Sequence, residues 1–221
     1  MTTILRKEKV CALCGKLSEH SEIGSTSVFG SPDLDTRPPE MKRSTIDMWI
    51  QACPFCGYCA PDISEIIEKA TEVVRSESYQ RQLSDPEFPK LANAFLCFSQ
   101  LQEHAGNFAG AGWASVCAAW VCDDAGFEMA ARKCRVGAVS LWQEAKEKGQ
   151  RFAEQAGAEE AIVVDLLRRA GLFELALKIC EDGLKKSPDK TITNILQYQK
   201  RLINNADAGR HTVAEAIEGK R

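Results

Sequence analysis

Apolar residues along this chain follow two regimes. From Lys90 to about Asn204 they recur with helical spacing, interrupted at AGN (105–107), DDAG (123–126), QAG (155–157), AG (170–171) and SPD (187–189). Glycine and proline end helices because one favours turn backbone and the other lacks an amide donor, so this stretch predicts a succession of helices. Residues 10–60 carry no such period. Within them TIDMWIQA (45–52) alternates, with Ile46, Met48 and Ile50 on one side and Asp47, Trp49 and Gln51 on the other. That alternation predicts a short strand running into Cys53. A second strand is expected around Ser21 to Phe29, and GSPDLDTRPP (30–39) reads as loop between them.

The first helix is expected at Pro61. Proline suits a first helical turn, Asp62 and Glu65 have the spacing of a capping box, and Ile63, Ile66, Ile67, Ala70, Val73 and Val74 form one apolar stripe. The polar stretch SESYQRQLSDPEFP (76–89) reads as a linker, and the tail ADAGRHTVAEAIEGKR (206–221) as a segment that frays.

Two parts of the helical region share a frame. In LLRRAGLFELALKICEDGLKKSP (166–188), a helix, a glycine turn and a second helix end before Pro188. In residues 96–124, Gly106-Asn107-Phe108 matches Gly171-Leu172-Phe173, Ala111 matches Ala176, and Ala118 matches Gly183. The frames lie 65 residues apart, close to twice the period of about 34 of tetratricopeptide repeats. The region therefore resembles a degenerate tetratricopeptide-like array of about six helices, in which small residues let helix pairs approach closely.

Composition narrows the class. The chain has 221 residues, 44% hydrophobic and 27% charged, with a formal net charge of −3, which is ordinary for a globular protein. Residues 1–60 balance at seven basic and seven acidic side chains, so no basic lobe offers the phosphate-neutralising footprint of a nucleic-acid binder. No apolar run is long enough to cross a bilayer, and MTTILRKEKVCALC lacks the apolar core of a secretory signal. The expected compartment is the cytoplasm, with no membrane partner.

Ten cysteines divide into two groups. Cys97, Cys117, Cys122, Cys134 and Cys180 sit in apolar helical pattern, where a free cysteine packs as a small hydrophobe. Cys11, Cys14, Cys53, Cys56 and Cys59 sit in polar, turn-rich sequence, where a reducing compartment favours metal binding over disulfides. Cys11-Ala-Leu-Cys14-Gly15 and Cys53-Pro-Phe-Cys56-Gly57 are matched CxxCG turns that aim two thiolates each at one centre. Two such turns supply the four tetrahedral sulfurs of a structural zinc site, with an iron–sulfur centre as the less common occupant. The expected ligands are Cys11, Cys14, Cys53 and Cys56, and the expected cofactor is structural Zn2+. A closed four-sulfur site has no open position for water, so it stabilises a fold and does not catalyse.

Rival readings remain for neighbouring groups. Cys53-Pro-Phe-Cys56 also has dithiol-oxidoreductase spacing, but it lacks a surrounding βαβ pattern and leaves Cys11 and Cys14 without a role. Cys59 is a spare ligand, a redox reporter or, as favoured, a packed side chain. His20 is a substitute ligand only if one cysteine is not. Trp113, Trp120 and Trp142 are expected in the core. The chain carries no GxGxxG, Walker-type, HExxH or GxSxG motif, so it is expected not to be an enzyme.

The string GSPDLDTRPPEMKRSTIDMWIQACPFCGYCAPDIS, with the upstream CxxCG and the helices downstream, resembles a bacterial family that carries a domain-of-unknown-function label. That family joins an N-terminal CxxCG…CPxCGY zinc ribbon to a tetratricopeptide-like domain. The resemblance is carried by Asp35, Arg37, Pro38, Trp49 and Cys53-Pro-x-Cys56-Gly57-Tyr58; Cys59 departs from it, a small residue being usual there. It implies a mainly α protein with a small N-terminal β zinc ribbon and an α-helical tetratricopeptide-like array. The expected divisions are a ribbon over 1–60, a connecting helix and linker over 61–88, the helical domain over 89–205 and a flexible tail over 206–221. The expected function is a non-enzymatic adaptor whose helical surface binds a protein or peptide. The alternatives are a thiol redox or zinc-responsive sensor centred on Cys56 and Cys59, or a nucleic-acid-binding ribbon. Asp35, Arg37 and Arg43 either form a second contact surface or, the plainer reading, brace their own loop.

Overall fold

A computed structural model describes residues 1–218. The protein is mainly α-helical, with a small antiparallel β region at its N-terminus. There β1 (Thr2–Val10) and β2 (Leu17–Thr26) pair antiparallel, and residues 11–16 turn between them. A second hairpin, β3 (Gln51–Ala52) and β4 (Cys59–Ala60), is joined by residues 53–58. Each hairpin thus carries one CxxCG turn at its tip.

The first hairpin differs from the sequence expectation. β1 has few apolar residues, and β2 begins four residues before the expected Ser21. The register pairs Ile4 with Ile23 and Val10 with Leu17 on one face, and puts Lys7, Lys9 and Glu22 on the other. Lys7 bonds Glu22 at 2.7 Å, and Lys9 bridges Glu22 and Asp62, which fastens this second face to the rest of the ribbon.

The alternating TIDMWIQA segment is not a long strand. Arg43–Met48 forms a 3-10 helix, and only Gln51–Ala52 is extended. Its side chains satisfy one another across a helical turn: Trp49 Nε1 donates to Thr45 Oγ1 at 2.9 Å, and Thr45 Oγ1 donates to the Lys42 carbonyl at 2.8 Å. Ile46 and Ile50 still reach the core, one turn apart, so the alternation was mistaken for strand period.

Nor does a helix begin at Pro61. α1 spans Ala70–Arg75, and the nine residues before it are held in turns by partners distant in sequence. Ile63 donates its amide to the Gln51 side chain at 3.1 Å and accepts from the Ala12 amide at 2.8 Å. The Tyr58 hydroxyl donates to the Glu65 carbonyl and accepts from the Ile67 amide. Those bonds occupy the groups a helix would need. Ile63 is fully buried while Ile66 is exposed, so the expected stripe is broken.

The expected linker contains α2 (Glu77–Leu83), capped by Ser76 and fully burying Tyr79. Six longer helices follow: α3 (Lys90–His104), α4 (Phe108–Asp124), α5 (Glu128–Glu147), α6 (Ala158–Arg169), α7 (Phe173–Lys185) and α8 (Lys190–Asn204). Four of the five interruptions expected from the sequence fall between two of them, and the fifth, 123–126, begins in the last two residues of α4. Short connections make successive helices antiparallel neighbours, and α3 packs on α4, α4 on α5, α6 on α7 and α7 on α8.

A shared turn recurs at their ends. Gly106, Gly126 and Gly171 take φ of 79°, 75° and 80°, and the following amide reaches back five residues: Asn107 to Gln102, Phe127 to Cys122, Leu172 to Leu167. Only glycine adopts this left-handed backbone without strain. Gly149 repeats the geometry at the end of α5, where Gln150 bonds the Ala145 carbonyl. Ala111, Ala118 and Ala176 are wholly buried, and a Cβ on Gly183 would stand 2.8 Å from Glu160 Cβ, as close helix approach requires.

The tail departs from expectation, whereas the Asp35 loop follows the plainer of its two readings. The tail does not fray over its described part: α9 spans Val213–Glu218, the Val213 amide bonds the Pro32 carbonyl at 2.9 Å, and the Leu34 amide bonds the His211 carbonyl at 3.0 Å. Its final residues, 219–221, lie outside the described set. The loop with Asp35 and Arg37 is no open contact surface, since both side chains are buried. Asp35 accepts from Trp120 Nε1 at 2.8 Å and from Arg169 at 3.1 Å; Arg37 grips both oxygens of Asp124, and Arg43 pairs with Asp33 at 2.7 Å. The loop is braced against the ends of α4 and α6.

Candidate metal centre

The two CxxCG turns have the same local architecture. In the first, the Cys11 amide bonds the Lys16 carbonyl at 2.9 Å and the Gly15 amide bonds the Cys11 carbonyl at 2.8 Å. In the second, Cys53 bonds Tyr58 at 2.8 Å and Gly57 bonds Cys53 at 3.0 Å. Gly15 and Gly57 both take positive φ, 70° and 75°, which lets the chain turn back under its own sulfurs. Backbone amides also point at the sulfurs: those of Leu13 and Cys14 at Cys11, that of Lys16 at Cys14, and that of Tyr58 at Cys56.

The hairpin tips face each other. Cys11 Sγ lies 3.7 Å from Cys56 Sγ, and Cys14 Sγ lies 3.6 Å from Cys53 Sγ. All four sulfurs fall within 4.8 Å of one another. Four sulfurs at about 2.3 Å from one ion, arranged tetrahedrally, stand about 3.8 Å apart, so the cluster fits a zinc-sized ion. Cys11 and Cys53 are buried, and Cys14 and Cys56 partly so.

Burial pushes Cys11 and Cys56 above their ordinary value, whereas the Lys16 amide holds Cys14 below it. Gathering four thiolates in so small a volume requires a cation to offset their repulsion.

Residues around the cluster set its geometry. Gln51 and Ile63 tie β3 to the first turn, as described above. Tyr79 from α2 donates to the Gly57 carbonyl at 2.9 Å and accepts from the Cys59 amide at 3.1 Å. Tyr58 and Tyr79 are both fully buried. Sequence reading missed Gln51, Ile63 and Tyr79 as supports, and the available signal was a lone tyrosine within the polar stretch 76–89.

Cys59 stands outside the cluster. It is fully buried in β4, and its thiol meets that of Cys97 on α3. The Cys59 thiol donates to the Gly57 carbonyl at 3.3 Å and that of Cys97 to the Tyr79 carbonyl at 3.8 Å, and the closeness of the two sulfurs holds Cys59 below its ordinary value and pushes Cys97 above it. Cys122 and Cys134 form a like pair between α4 and α5. His20 is away from the sulfurs, bonding Ser18 at 2.9 Å. Trp113 stacks on Phe152 with ring centroids 5.4 Å apart, while Trp120 and Trp142 are buried. Among the described residues no helix is long and apolar enough to cross a membrane. Comparison with known proteins gives no matching family model, curated protein or solved structure.

Proposed function

We propose that this chain is a non-enzymatic zinc-binding protein whose metal holds the ribbon together and whose helical array serves as a protein-interaction adaptor. The observation carrying the metal reading is the sulfur cluster, with cross-turn separations of 3.6 and 3.7 Å. Four protein ligands fill a tetrahedral ion, so its role is structural and no position is left for a reacting water. The direction of the thiols favours this over dithiol exchange: Cys56 faces Cys11, while Cys59 faces Cys97. The adaptor reading draws on the stacked helix pairs and on apolar side chains left at the surface, among them Met129, Val136, Leu172 and Leu175. The balanced ribbon charge speaks against a nucleic-acid role.

Metal content and thiol count of reduced, purified protein test the reading. One zinc per chain is expected, with four thiols shielded from a thiol reagent until a chelator is added. Protein that carries no metal, or whose four thiols react at the rate of free cysteine, overturns it. Crosslinked partners retained by the intact chain and lost by Cys14→Ser would tie interaction to the ribbon; partners retained by neither would remove the adaptor half.

A further inference from the structure

An open groove runs beside the second metal turn. It encloses about 660 Å³ between three elements: the turn itself with Ile50, Pro54 and Phe55, α2 with Leu83, and the start of α3 with Leu91 and Ala94. This is the volume range of ligand-holding clefts. Phe55, between the two cysteines of its turn, is 54% exposed and presents its ring at the mouth of this groove. On the other side of Cys56 lies a second cleft of about 330 Å³, lined by Leu13 and Val74 among others. Cys56 and Gln80 border both, so the two clefts adjoin across the metal turn.

The charges along these clefts have one sign. Among the described residues that line them, the charged ones are Lys90 in the larger cleft and Arg75 in the smaller. Lys16 adds a third cation, its Nζ 4.7 Å from the centre of the Phe55 ring. The 15-residue helix α3 begins at the groove with Pro89 as its N-cap, which supplies no capping side chain, and it has no acid in its first turn. Its positive end therefore adds to Lys90 and is not offset locally. The nearby Glu87 is turned away and paired with Lys133.

We propose that these adjoining clefts are a docking site for an extended peptide segment of a partner protein, one that carries apolar side chains next to a carboxylate. The apolar side chains pack on Phe55, Leu83 and Leu91, and the carboxylate meets Lys90 at the positive end of α3. A peptide fits better than single-stranded nucleic acid, which needs several aromatic platforms in series, whereas Phe55 is the one aromatic side chain among the described lining residues. One wall is the metal turn, so the site exists only while the ion holds that turn in place. The proposal rests on the adaptor reading above and assigns it a surface and a partner chemistry.

The test uses the full zinc-loaded chain and its Phe55→Ser/Lys90→Glu variant, both substituted at exposed side chains. Each is panned against a phage-displayed random dodecapeptide library, and the leading peptide is then titrated as a fluorescein conjugate. Retained zinc and circular dichroism check that the variant is folded. The expected enrichment is for clustered apolar residues beside Asp or Glu. The conjugate should bind the variant at least about tenfold more weakly, bind still less after chelation, and weaken with salt. Peptides enriched equally on protein and variant overturn the groove while leaving the adaptor reading in place. No enrichment on either protein removes both. A single-stranded oligonucleotide that displaces the conjugate, or a basic consensus, assigns the clefts to another ligand and also overturns the proposal.

Discussion

In the β1–β2 hairpin, Ile4, Val10 and Leu17 are each more than half exposed, whereas Leu101, Leu166 and Leu196 of the array are fully buried. A two-stranded ribbon has one layer and nothing to cover its outer face, so it cannot exclude water from its own side chains. The array stacks helix on helix and buries apolar residues on both sides of α4 and α6. The ribbon is therefore organised around sulfur, hydrogen bonds and a few anchors such as Tyr58 and Ile63, and the array around packing. A four-sulfur cluster and a hydrophobic core are here two ways of fixing a fold.

Removing a ligand should break this contrast most sharply. Cys53→Ser removes one of four sulfurs and is expected to lose a large part of the metal-linked folding energy, which totals on the order of 10 kcal/mol for an intact structural zinc site. The ribbon and residues 61–69 should lose amide-exchange protection while α3 to α8 keep theirs. Uniform loss of protection along the whole chain would mean that the array depends on the metal as well.

Asp35→Ala probes the brace between the two regions. It leaves Trp120 Nε1 without that acceptor and Arg169 with one carboxylate fewer. Removing one member of a buried ionic network costs about 3–5 kcal/mol, and thermal melting should show the loss with zinc still bound. Gly183→Ala acts inside the array alone. The new methyl meets Glu160 Cβ at 2.8 Å and Leu196 Cδ1 at 3.1 Å, and overpacking of this kind costs about 1–3 kcal/mol. Zinc stoichiometry should not change in that variant.

The smallest effect belongs to Asp62 in the ribbon. Burial raises its pKa, but the Lys9 ammonium and the Ser64 donors outweigh that and hold it at about 2. A carboxylate depressed in the folded state adds stability above its unfolded value of about 4, and that contribution is lost as pH falls through about 2. Asp62→Asn should flatten this part of the acid-unfolding profile, and an unchanged profile would show that the Lys9 pair carries no stability.

Legibility in the sequence followed the distance over which each feature is determined. The glycine-ended helices were readable because the turn at Gly106 or Gly171 needs only a positive φ and a backbone bond five residues back. The metal turns were readable because each is complete within Cys11–Lys16 or Cys53–Tyr58. Residues 61–69 were not, since a local capping pattern lost to Tyr58, Gln51 and Ala12, whose hold on them appears only in the folded chain. Asp35 was readable as a brace but its partners were not, because Trp120 and Arg169 are 85 and 134 residues away. β1 was hidden because its side chains are chiefly polar and its apolar ones face solvent.

The backbone bonds between Pro32 and Val213 and between Leu34 and His211 carry a consequence for how the chain is made. A ribosome delivers residues 31–34 long before 211–214, and domains generally fold as they emerge. The ribbon and the α3–α4 pair can form early, yet the loop between the two hairpins gains its last backbone partners only after α8 has been made. That late clasp joins an earlier-made loop to a later-made segment, so a chain interrupted after α8 would carry an assembled ribbon with an open seam.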